Sequence, residues 1–188
     1  MSDVSDINQK LTDEMQVSLS KNQYLTFLID GESFAMPVIK IREIIEYDQK
    51  QVTVVPTSLS IFRGVINLRG KIVPVIDLSR KFSLKESPVT ARTCIIVMDM
   101  QMDDEAVTIG SMVDKVLLVQ DINEDQIDIA PELGTVIESK YIKGIGKIDG
   151  QFITILNVDQ IFTQNEVIFS TALLSGNGAH HENGQVQS

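Results

Sequence analysis

Arg69 is the side chain of this sequence best placed to do recognition chemistry. It stands in Leu68-Arg69-Gly70-Lys71, a stretch that returns 80 residues later as Ile148-Asp149-Gly150-Gln151. Both read as two-residue hairpin turns with glycine second, where a positive φ costs nothing. Aspartate suits the first position of a type I′ turn, and the second copy has Asp149 there. Arg69 suits a type II-like turn and is no local optimum. A turn arginine is ordinarily a solvated side chain. Its departure from its own repeat favours use instead, since a guanidinium offers five donors in a rigid fork that matches a partner carboxylate.

Groups that could support catalysis or hold a metal are poorly placed. The only histidines, His180 and His181, stand in a polar end of the chain and read as solvated. Cys94 opens an apolar strand and reads as a buried structural thiol, with no histidine in the folded region to activate it. Gly144-Ile-Gly146 lacks the further glycine and the strand-to-helix setting of a phosphate loop. Asp103-Asp104-Glu105 reads as a hairpin tip. Neither it nor residues 121–128 has the spacing and glycine of a calcium loop. No catalytic, metal or cofactor residue is assigned, and binding is the expected business of this chain.

The elements that position Arg69 belong to an internal repeat. Residues 64–82 align without a gap on 144–162, with Gly64 on Gly144, Gly70 on Gly150, Asp77 on Asn157, Leu78 on Val158 and Phe82 on Phe162. A weaker match sets Ile41-Arg-Glu-Ile-Ile45 on Val113-Asp-Lys-Val-Leu117 at an offset of 72, which implies an eight-residue insertion near 120–140. Two copies are too few for a solenoid, so the repeat implies two similar β modules sharing a core. Short β-type runs are expected at 24–29, 33–39, 51–55, 65–68, 72–76, 93–98, 107–112, 115–119 and 152–156. Asp30-Gly31 marks a hairpin between the first two. Asp77 is expected to cap a short helical turn, Asn157 with Gln160 to form a capping box over 158–164, and 56–62 to make another helical turn. Residues 166–174 are apolar enough to pack back on the body.

Composition narrows the function classes. The chain has 188 residues, 43% of them hydrophobic, and no run approaches the ~18 apolar residues of a membrane span. No secretory leader is evident at the N-terminus, and a single cysteine suits a reducing cytoplasm. A net charge of −10 and the absence of tryptophan speak against a nucleic-acid-binding barrel. The charge is uneven: residues 23–90 carry nine Lys/Arg against seven Asp/Glu, and 91–174 carry five against fourteen. This reads either as a solvated acidic half or as two fields of different sign for different partners.

Phe34-Ala-Met-Pro-Val38, Ile41-Arg-Glu-Ile-Ile45, Val55-Pro56 and above all Arg63-Gly-Val-Ile-Asn-Leu-Arg-Gly-Lys-Ile-Val-Pro-Val-Ile-Asp-Leu78 resemble CheW, the family of bacterial chemotaxis coupling proteins. The resemblance covers about residues 22–174. It implies an all-β fold with short helices: two pseudo-repeated SH3-like five-stranded barrels sharing a hydrophobic interface. The expected division is a mobile tail over 1–22, a first barrel at about 23–90, a second at about 91–165, a closing segment at 166–174, and a disordered tail over 175–188. The resemblance also implies a non-enzymatic adaptor in the cytoplasm, recruited to membrane arrays without inserting in the bilayer. It would join the cytoplasmic hairpin tips of transmembrane chemoreceptors to the regulatory domain of the histidine autokinase CheA through matching barrel ends. A groove between the barrels would take the receptor tip, lined by Val38, Ile41 and Glu43, with Gly64, Asn67 and Arg69 bringing the marker turn beside it. Gly64 and Asn67 could equally do no more than shape that turn. The chain has no room for a receiver domain and no ATP-binding segment, so the stand-alone adaptor is expected. A coupling protein of a non-flagellar chemosensory pathway is the alternative.

Overall fold

The computed structural model describes residues 3–16, 22–129 and 137–174. Its strands are β1 (Gln23–Ile29), β2 (Glu32–Pro37), β3 (Ile41–Glu46), β4 (Phe62–Leu68), β5 (Lys71–Asp77), β6 (Cys94–Met102), β7 (Glu105–Val113), β8 (Lys115–Asp121), β9 (Ile127–Asp128), β10 (Ile142–Ile148) and β11 (Gln151–Leu156). Four helices accompany them: α1 (Val4–Gln16), α2 (Leu78–Lys81), α3 (Val158–Ile161) and α4 (Gln164–Leu174).

The strands form two sheets of matching plan. One runs β3-β6-β7-β5-β4, the other β8-β1-β2-β11-β10 with the two-residue β9 added at its end. In each the third and fourth strands pair parallel, β7 with β5 and β2 with β11, and the other neighbours pair antiparallel. The counterpart of β9 is the isolated bridge Thr53–Val65, which is all that forms of the strand expected over 51–55. Alternation explains the layering, because successive strand residues face opposite ways. Ile95, Val97, Val73 and Val75 fill one module, and Ile153, Ile155, Ala35 and Ile122 fill the other. Ile96, Met98, Ile76, Leu25, Phe27 and Phe34 turn into the large core between them. A chain of rings crosses that core: Phe27 stacks on Phe34 (6.1 Å), Phe34 on Phe82 (5.9 Å), and Phe82 meets Tyr141 at a tilt (5.7 Å).

The repeat is real in three dimensions. Residues 64–82 and 144–162 share one topology, a hairpin followed by a short helix, with the same skipped residue at Arg63 and Lys143. The modules do not follow one another along the chain as expected, however. Hairpin β1–β2 belongs with β8–β11, while the five-stranded sheet takes only residues 41–113. Each module is completed by a hairpin from across the boundary, so a cut near residue 90 would divide both of them. The charge reading changes accordingly. Residues 41–113 carry nine Lys/Arg and nine Asp/Glu, against five and twelve for 23–40 with 114–174. One module is balanced and the other acidic, rather than the two being opposite in sign.

Local expectations fared unevenly. Asp30-Gly31 forms its hairpin turn at φ 51° and 77°. Asp77 caps α2, its carboxylate accepting from the Ser79 and Arg80 backbone N–H groups. Asn157 makes no side-chain cap, and the helix it precedes stops at Ile161. A box does form one turn later, where Thr163 and Glu166 exchange hydrogen bonds at the start of α4. Residues 56–62 are not helical. α4 packs back as expected, with Val167 buried and Glu166 paired to Lys81 at 2.6 Å. The largest correction is at the N-terminus. Residues 4–16, expected as a mobile tail, are helical, and Ile7 and Leu11 are each 2% exposed. Val4, Ile7 and Leu11 share one helical face, a period short enough to be hidden by the polar residues around it. The tail over 175–188, its histidines and part of the implied insertion lie outside the described residues.

Candidate functional site

Arg69 and Gly70 turn β4 into β5 with φ of 52° and 85°, and Asp149 and Gly150 do the same at 50° and 79°. Both turns are therefore type I′, and the type II-like geometry expected at Arg69 is not adopted. Twist explains this, since only the primed turns match the right-handed twist of two tightly joined strands. Arg69 accepts a left-handed conformation that disfavours a long side chain. Asn67 holds the turn from inside, its Oδ1 accepting from the Gly70 N–H at 2.8 Å. Gly64 serves the strand behind it. At φ 145°, a Cβ there would lie 2.3 Å from the Thr53 carbonyl oxygen. Both residues thus have a structural task, as the simpler reading allowed.

The guanidinium of Arg69 is already engaged. Its two terminal nitrogens donate to the two oxygens of Glu43 on β3, at 2.9 and 3.0 Å. The pair is lopsided: the Arg69 side chain is 77% exposed and that of Glu43 only 19%. A bidentate fork fixes the plane of the guanidinium, and its outer edge faces solvent. Residues 26 apart in sequence carried no signal of this partnership. Val38 and Ile41, by contrast, are each 3% exposed and belong to the large core. They support the site from behind and offer no surface. The apolar side chains that the same segments do expose are Ile39 (58%) and Ile72 (43%).

A second polar feature crosses the same sheet. Lys71 on β5 donates to the Thr108 hydroxyl (2.7 Å), which donates to Asp99 on β6 (2.8 Å), and Asp99 pairs with Arg42 on β3 at 3.2 Å. Strand order alone brings these four residues into one row, so sequence spacing could not reveal it. Elsewhere, Arg80 and Glu86 form a close pair at 2.6 Å. Their hydrogen bond raises the Arg80 pKa and lowers that of the Glu86 carboxylate. Burial pushes the Cys94 thiol up, away from the thiolate form that reacts. Among the described residues no group of His, Cys, Asp and Glu is arranged to hold a metal ion, and no helix is long and apolar enough to cross a membrane.

Two matched β modules around a common core define a pseudo-repeated, mostly β domain. A family model for the CheW-like domain matches residues 23–166, and the chain belongs to that family. The chemotaxis protein CheW of Klebsiella aerogenes is 29% identical over 145 residues, covering 77% of this chain and 84% of the relative. That of Thermotoga maritima is 31% identical over 150 residues, covering 78% and 91%. The crystal structure of the scaffolding protein TtCheW from Thermoanaerobacter tengcongensis superposes with a TM-score of 0.68 at 27% identity, covering 78% of this chain and 91% of that one. The family consists of non-catalytic scaffold and adaptor proteins.

Proposed function

We propose that this protein is a chemotaxis coupling scaffold that links the cytoplasmic hairpin tip of a transmembrane chemoreceptor to the regulatory domain of the kinase CheA. The observation that carries this reading is the Arg69–Glu43 fork, held on a type I′ turn within a domain of this family. A receptor hairpin presents apolar side chains and carboxylates on adjoining helices. The exposed Ile39 and Ile72 would meet the former, and the solvent edge of Arg69 would take one of the latter. Glu43 holds the fork in place, Val38 and Ile41 hold β3 against the core, and Gly64 and Asn67 hold the turn. The scaffold works in the cytoplasm and reaches the membrane only through its receptor. Contact with both partners lets a receptor conformational change bias the kinase.

Co-sedimentation with receptor-containing membranes tests this reading. The protein should pellet with the membranes without kinase, and kinase should pellet in quantity only when the protein is present. A protein that stays in the supernatant in both cases would refute it.

A further inference from the structure

Helix α1 precedes the matched domain, which begins at residue 23, yet it is seated between the two modules. It packs on β3, the end strand of one sheet, and on β8, the end strand of the other. Ile7 and Leu11 enter the large core, with Val4 packed against it on the same face. Beside them Asn8 turns its amide to the free edge of β3. Its Nδ2 donates to the Ile44 carbonyl at 2.7 Å, and the Ile44 N–H donates to its Oδ1 at 2.9 Å. Unpaired N–H and C=O groups on an end strand are what a visiting chain would use, and one side chain occupies both.

Clefts flank this seat on both sides. A cleft on one flank of α1 runs from Gln9 and Lys10 to Leu118 and Val119, with Leu118 44% exposed. Another lies between Val4 and the trio Glu46, Cys94 and Val116. A 13-residue helix is marginal by itself, so docking is what orders α1. We propose that α1 is a built-in occupant of a helix-binding cleft between β3 and β8, and that a partner helix must displace it to bind there. The partner is an amphipathic helix with the same apolar spacing. It is identified with the receptor hairpin only insofar as the coupling reading above holds. An amphipathic helix laid in an apolar groove is a recurrent mode of recognition. Here one competitor belongs to the same chain and ends at Gln16, close in sequence to β1 at Gln23, which keeps its effective concentration high. The partner's apparent affinity is then reduced by the fraction of molecules whose cleft is open.

The test is titration calorimetry of a soluble receptor hairpin-tip fragment into the full chain and into a form lacking residues 1–16. Displacement predicts about tenfold tighter binding, or more, to the shortened form. Asn8→Ala, which releases only the β3 edge, should shift affinity the same way by a smaller factor. In the full chain, amide exchange over 4–16 should accelerate when the fragment binds, a readout that holds whether or not the shortened form folds well. Equal or weaker binding by the shortened form, or exchange over 4–16 unchanged or slowed in the complex, would overturn the displacement proposal and leave the coupling reading standing. Absence of binding by both forms would overturn the two together.

Discussion

Hairpins β4–β5 and β10–β11 skip a residue at Arg63 and Lys143, turn on Arg69-Gly70 and Asp149-Gly150, and end at Asp77 and Asn157. Their side chains then diverge. Arg63 donates to Asp77 at 3.0 Å, and that carboxylate, 1% exposed as a residue, also takes the cap of α2. Lys143 instead reaches the Tyr24 hydroxyl at 3.3 Å, and Asn157 caps nothing through its side chain. A buried carboxylate needs a cation and N–H donors, whereas a neutral amide can be left partly solvated. The first copy has become a lattice of paired charges ending in Arg69–Glu43. The second keeps the local turn optimum, Asp149. One backbone thus carries two surfaces, and the copy that departs from the local optimum is the one we propose as the receptor-facing end.

The comparison breaks most visibly at the glycines. Gly64→Ala combines a positive φ with a Cβ 2.3 Å from a backbone oxygen, and should cost about 3–4 kcal/mol in a denaturant melt. Gly144→Ala meets the Asp128 oxygen at 2.6 Å and the Ile127 methyl at 2.5 Å without the positive φ, and should cost less. Equal costs would mean that the first hairpin is no more tightly held than the second. At the strand ends, Asp77→Asn removes the charge that Arg63 and the cap depend on, for about 1–3 kcal/mol. Asn157→Ala should stay within about 0.5 kcal/mol. Similar losses at both positions would show that Asn157 has a role its hydrogen bonds do not reveal.

The repeat was legible in the sequence because glycines and turn residues constrain the backbone locally, and a local constraint leaves its mark at a fixed offset. Arg69 stood out for the same reason, as a residue at odds with its own copy. What joins distant segments was not legible. The exchange of hairpins between modules, the row from Lys71 to Arg42 and the pairing of Arg69 with Glu43 are set by strand order, which spacing does not encode. Val38 and Ile41 were expected to line a groove from one strand, but Val38 stands in the 3-10 turn before β3 and Ile41 faces inward from β3, so both side chains join the core. In α1 the signal was present in Val4, Ile7 and Leu11, and four apolar residues in thirteen, Met15 included, did not stand out.

We propose that the Arg69 turn, and not its twin, faces the receptor. Binding of a receptor hairpin-tip fragment to purified Arg69→Ala and Asp149→Ala, each checked by a denaturant melt, tests it most directly. An exposed ion pair contributes about 0–1 kcal/mol to stability, so both variants should melt near the parent. Arg69→Ala should lose roughly tenfold in affinity or more, equivalent to about 1.4 kcal/mol. Arg69→Lys should recover only part of that, and Asp149→Ala should bind as the parent does. Unchanged binding by Arg69→Ala, or an equal loss at Asp149, would contradict the account.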